Sequence, residues 1–140
     1  MTAQITNGCS VCWGNDTKTI ILIELHGNWN WHHIESVTED YLKLMNSVEH
    51  RVHLIFHPVD NKFRLPTNAL SRIPSLIEMT HPREDQTVLV AHSPLIKGIL
   101  NIVGRVHGLQ EAIAKYHFAK TLAEAYDILE KYDMEQKQPV

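Results

Sequence analysis

Histidine is the residue type best placed to do chemistry here, with ten of them in 140 residues. His26, His57 and His92 each close a run of strand-forming residues, at 19–26, 52–57 and 87–92. A neutral imidazole is a metal ligand, and its pKa near ~6.5 makes it a proton-transfer group. Parallel strands bring their C-terminal ends to one edge, with neighbours ~4.8 Å apart, and open α/β sheets bind ligands there. Three imidazoles facing alike at that edge would form a metal or polar cluster, with Glu24, His53 and His117 as further polar groups on one sheet face. The competing reading is plain strand termination by hydrogen-bonding side chains. The one His-x-x-x-His, His53 to His57, falls in a strand-forming run rather than on a helix, and no His-Glu-x-x-His of the metalloenzyme kind occurs.

Other chemistries find less support. Cys9 and Cys12 are the two cysteines. A zinc site wants four ligands, and a redox Cys-x-x-Cys follows a strand, whereas this pair precedes one. They read as small residues of an N-terminal strand. Ser93 adjoins His92, but successive strand side chains face opposite ways, so adjacency makes no dyad. Gly-x-Ser-x-Gly, phosphate-loop and dinucleotide fingerprints are missing from the sequence. The sequence therefore predicts no catalytic residue and no cofactor, and a non-enzymatic role.

The elements that position these residues follow a strand-helix rhythm. Val52, Ile55 and Phe56 suit a pleated strand, with Leu54 and Phe56 on one face and His53, Ile55 and His57 on the other. Residues 4–13 and 19–26, joined across Gly14-Asn15-Asp16, predict a hairpin. Val37, Tyr41, Leu44, Met45 and Val48 form one helical stripe, with Ser36 or Thr38 as its expected cap. A second helix should start near Pro66 and carry Ala69, Leu70, Ile73, Leu76 and Ile77, kinked or split at Pro74. Residues 81–85 are the expected solvated loop before a buried strand at 87–91. The third stripe is Leu95, Ile99, Ile102, Val103 and Val106, ended by Gly108. Residues 115–118 make a short strand, and Thr121 with Glu124 reads as a capping box for a last helix that frays after Asp133. Strands alternating with helices mean a mainly parallel sheet covered by helices.

Composition narrows the partners. A chain of 140 residues suits one domain that buries roughly 68% of its unfolded surface. Hydrophobic residues at 44% and charged residues at 21% are globular values. A net charge of −3 with scattered cations argues against nucleic acid. No run approaches the ~18 apolar residues of a membrane span, and the first residues lack signal-peptide blocks, so the cytoplasm is the expected location.

The order of hairpin, strand-helix units and a short final strand leading into Thr121-Leu122-Ala123-Glu124-Ala125 resembles the STAS and SpoIIAA-like family. Its founding members are bacterial anti-sigma-factor antagonists. The resemblance covers about residues 20–132 and implies a single domain (core about 18–132) built as a four-turn β/α superhelix. That fold is α/β, with a mainly parallel sheet, an N-terminal antiparallel strand and helices mostly on one face. The family's phosphorylatable Asp-Ser-x-Gly falls at Pro66-Thr67-Asn68-Ala69, where only Thr67 could take a phosphate. The chain thus departs from the kinase-switched pattern and looks closer to the SpoIIAA-like branch, for some of whose members binding of apolar ligands or membranes is suggested. The expectation is a regulatory protein that binds another protein, with Thr67 and Asn68 as contact residues. The alternative is an apolar small molecule or lipid surface held by Trp29, Trp31 and Phe63. A histidine metal site comes third, and a homodimer is compatible with any of them.

Overall fold

The computed structural model describes residues 8–59, 67–91 and 94–137. Strands β1 (Gly8–Trp13) and β2 (Ile20–His26) form an antiparallel hairpin. Its turn is built by Asn15, whose side-chain oxygen accepts from the Thr19 and Ile20 N–H groups at 3.1 and 3.2 Å. Such local side-chain bonding is why asparagine favours turns. Helix α1 (Trp31–Asn46) follows, then β3 (Val52–Pro58), α2 (Ala69–Glu78), β4 (Glu84–Val90), α3 (Pro94–His107), α4 (Gln110–Ile113), β5 (Tyr116–Ala119) and α5 (Leu122–Lys137). The five strands lie in consecutive order, with β2 to β5 parallel.

The pleat divides the core into two layers. Ile21, Ile23 and Leu25 of β2, with Leu54 of β3, meet Ile34, Val37, Tyr41 and Met45 of α1. Leu89 and Ala91 meet Ile96 and Leu100 of α3 on the same face. Leu76 of α2 packs on the first group and Ile73 on the second, so α2 bridges them. On the opposite face Ile20, Ile55, Val88, Val90 and Ala119 pack against Ala125 and Leu129 of α5. The facing of β3 expected from alternation holds: Ile55 pairs with Leu22 and Val88 on the α5 side, while Phe56 pairs with Ile23 and Leu89 on the other.

Local chemistry moves several boundaries away from the sequence reading. Asn30, not Ser36 or Thr38, caps α1. Its side chain accepts from the His33 N–H at 3.1 Å, while His33 Nδ1 accepts from the Asn30 N–H at 3.0 Å. Histidine here takes the place usually held by Glu or Gln in a capping box. Thr38 instead donates back to the Ile34 carbonyl at 2.8 Å, within the helix. The second helix starts at Ala69 after Asn68, which takes a left-handed φ of 68°, and it runs unbroken through Pro74. In so short a helix, the carbonyl that Pro74 leaves without its donor belongs to the first turn. Strand β4 begins at Glu84, inside the segment expected to be a solvated loop. The third stripe is rotated: Ile96, Leu100 and Val103 are buried, whereas Ile102 and Val106 are 46% and 70% exposed. Finally, α5 continues to Lys137, because Tyr132 and Asp133 are tied back to the sheet.

Candidate functional site

Among the strand-end histidines, His57 stands opposite Glu24 in the β2–β3 register. Its buried Nδ1 lies 3.8 Å from the Glu24 carboxylate, beyond hydrogen-bond reach, and has no other hydrogen-bond partner among the described residues. His26 lies two residues further along β2, its Nε2 3.4 Å from the Ser10 hydroxyl. His92 lies outside the described residues. Among those described, no three His, Cys, Asp or Glu side chains come together in a geometry that could hold a metal ion. Cys9 and Cys12 oppose Leu25 and Leu22 and, three residues apart on a strand, face opposite ways. Burial pushes the Cys9 thiol up to about 12, which leaves it an inert packing group.

The other histidines of the α5 face are built into a polar strut. His53 is buried, and its Nδ1 accepts from the Gln86 N–H at 3.1 Å. The ring proton therefore sits on Nε2, which donates to Asp133 at 2.7 Å. The Gln86 side chain donates to Asp85 at 3.0 Å and accepts from His117 Nε2 at 2.6 Å. Nε2 of His53 holds α5 to the sheet and Nδ1 ties β3 to β4, which leaves neither for a substrate. Burial and the neighbouring His53 lower the pKa of His117 from its ordinary 6.5. The unfolded chain then takes the proton first, so this group's contribution to stability is present above pH 6.5 and is lost as the pH falls below it. The melting temperature of the wild type should fall more between pH 7 and pH 5 than that of His117→Gln. Parallel falls in the two proteins would show that His117 does not contribute.

On the α1 and α3 face the packing is incomplete. Trp29 is buried and Trp31 half-buried, their rings 5.7 Å apart and perpendicular. Both line an apolar cavity of about 90 Å³, together with Leu25, Leu89, Ile73 and Ile96. A second cavity of about 80 Å³ lies toward the N-terminal ends of the strands, against Ile23, Val37, Tyr41, Leu54 and Glu84. Ile34, Phe56, Leu76 and Tyr116 form walls of both. The two therefore adjoin across these side chains as the two halves of a cleft, with α2 residues in the walls of both. Along β3, the Leu25 level is six residues from the Glu84 level, about 20 Å. Of the five residues expected to bind a ligand or partner, Trp29 and Trp31 line this cleft. Thr67 and Asn68 are exposed at the start of α2, where the Thr67 carbonyl accepts from Trp31 Nε1 at 2.5 Å. Phe63 lies outside the described residues.

The polar end of the cleft is a residue that sequence reasoning missed. Glu84 is only 7% exposed, and its carboxyl accepts from the Tyr41 hydroxyl at 2.9 Å and the Thr87 hydroxyl at 3.3 Å. Tyr41 itself receives the His81 N–H at 3.2 Å while donating its own proton to Glu84. Burial raises the Glu84 pKa to about 7, against the opposing pull of these two hydrogen bonds and of Lys115. One signal was available: a tyrosine on the apolar stripe of α1 needs a buried partner for its hydroxyl. Compared with family models, curated proteins and solved structures, the chain matches none.

Proposed function

We propose that this protein is a non-enzymatic binder of a small apolar molecule, held in the cleft beneath α2 on a STAS/SpoIIAA-like β/α superhelix. The consecutive strand order, with α1, α2 and α3 on one face, supports the superhelix. The observation that carries the binding role is the pair of adjoining apolar cavities with four shared wall residues. Protein interiors are close-packed, and a dry cavity of ~150 Å³ is enough to bind benzene. Each cavity alone is smaller than that, and their summed volume exceeds it, so a ligand spanning both displaces the side chains they share. Among the described residues the polar ties between the start of α2 and α1 are the Trp31–Thr67 bond and an exposed Arg72–Glu35 pair at 3.0 Å. Exposed pairs of that kind contribute about 0–1 kcal/mol, so α2 is held chiefly by the apolar side chains Ile73, Leu76 and Ile77, which also wall the cleft.

Methyl-detected NMR with hexanol as the probe tests this reading. Saturable shifts should be confined to Ile34, Leu54, Ile73 and Leu76. Shifts scattered over the surface, or none, would end it. The protein-partner reading draws on a different observation: Leu70 is 53% exposed beside Thr67 and Asn68, where the resemblance puts the partner-facing loop. Among the described residues no helix is long and apolar enough to cross a membrane.

A further inference from the structure

The cleft is apolar except at one end, and the chemistry of that end selects a ligand. Resting on the small-molecule reading above, we propose that the ligand carries an amine, seated on the Glu84 carboxylate, with its apolar body lying toward Phe56. The ligand class is then small alkyl or arylalkyl amines.

The argument starts from hydrogen-bond direction. The Tyr41 hydroxyl donates to one Glu84 oxygen and the Thr87 hydroxyl to the other. Each carboxylate oxygen can accept two hydrogen bonds, so each retains a free lone pair after these contacts. The site is thus arranged to present an acceptor to the cavity. Among the described residues no lysine, arginine or histidine forms an ion pair with Glu84. Lys115 acts on the carboxylate without reaching ion-pair distance, and an ammonium group in the cleft supplies both a contacting charge and further donors. An alcohol of the same length supplies one donor and no charge. A carboxylate ligand meets like charge in an apolar enclosure, which opposes binding.

Glu84 also lines a small polar recess with Thr80, His81, Asp85 and Lys115. The groups facing its carboxyl are therefore Tyr41 from α1, Thr87 on its own strand, Tyr116 and Lys115 from β5 and its approach, and His81 and Asp85 at the rim. Protonation of Glu84, or of His81, would weaken the hold on an ammonium group.

Calorimetric titration of hexylamine, hexanol and hexanoate into the intact protein at pH 8 tests the assignment. Hexylamine should bind at least ten-fold more tightly than hexanol, and hexanoate most weakly. In Glu84→Gln that preference should vanish while hexanol binding persists, which also reports that the variant is folded. If Glu84→Gln fails to fold, the wild type still decides: the amine preference must shrink from pH 8 to pH 6. Equal binding of amine and alcohol, or a preference that survives Glu84→Gln or is flat with pH, overturns the amine assignment and leaves the apolar cleft standing. No binding of any of the three probes overturns both.

Discussion

Glu84→Gln makes the protein more stable at pH 8, by about 3 kcal/mol, and changes little at pH 4. A carboxyl moved by burial from 4.5 to about 7 resists ionisation when folded, and each such pH unit corresponds to ~1.36 kcal/mol. The folded state therefore holds its proton over a range in which the unfolded chain has released it. Stability associated with this group is complete below pH 4.5 and is lost as the pH rises to about 7, levelling above that. Glutamine is uncharged throughout, keeps an oxygen for Tyr41 and turns its amide toward Thr87 as the protonated carboxyl would turn its O–H, so the ionisation penalty disappears. Denaturant midpoints of both proteins from pH 4 to pH 9 check this. A variant no more stable than wild type at pH 8 would mean that Glu84 is ionised at little cost, through water or a counter-charge. The trend runs opposite to that from His117 and the two windows overlap below pH 6.5, so they offset each other in the wild type and each is read from its own variant.

Where the period of the sequence is simple, the fold was legible. Alternation in β3 told Phe56 from Ile55, and the strand-helix rhythm foretold a mainly parallel sheet with an antiparallel first strand. The errors arose where a side chain answers to something outside its own element. Asn30 and His33 cap α1 through a reciprocal pair, a combination that the usual Glu or Gln pattern does not flag. Glu84 looked solvated because it sits in a charged run, His81-Pro82-Arg83-Glu84-Asp85. Its burial is made tolerable by Thr87 and by Tyr41, 43 positions earlier. His53 and Asp133 meet across 80 positions, a contact that local spacing could not announce. The same limit applies to the candidate site. Trp29 and Trp31 could be picked out as aromatics near a strand end. That they line one cleft with Tyr116 depends on α2 bridging two core groups, and hence on tertiary packing.

Ile55→Ala should be the most damaging single truncation in the core, costing about 2–5 kcal/mol. Ile55 is fully buried at the centre of the middle strand, flanked in register by Leu22 and Val88 and covered by Ala125 and Leu129 of α5. Two strand backbones bonded to β3 hold the walls apart, and the His53–Asp133 contact and the Tyr126 bond to the Gly14 carbonyl hold α5 in place. The void left by the deleted methyl groups therefore cannot collapse, which sets the cost toward the upper part of that range. Ile55→Val, which removes one methylene, should cost about 0.5–1.5 kcal/mol. Val106 provides the contrast. Helical spacing makes it as good a core candidate as Val103, yet it is 70% exposed, and Val106→Ala should stay within about 0.5 kcal/mol of wild type. Urea denaturation of the three variants measures the series. If Ile55→Ala matched Val106→Ala, the α5 face would not be a packed core, and α5 would have to sit loosely on the sheet despite its polar ties.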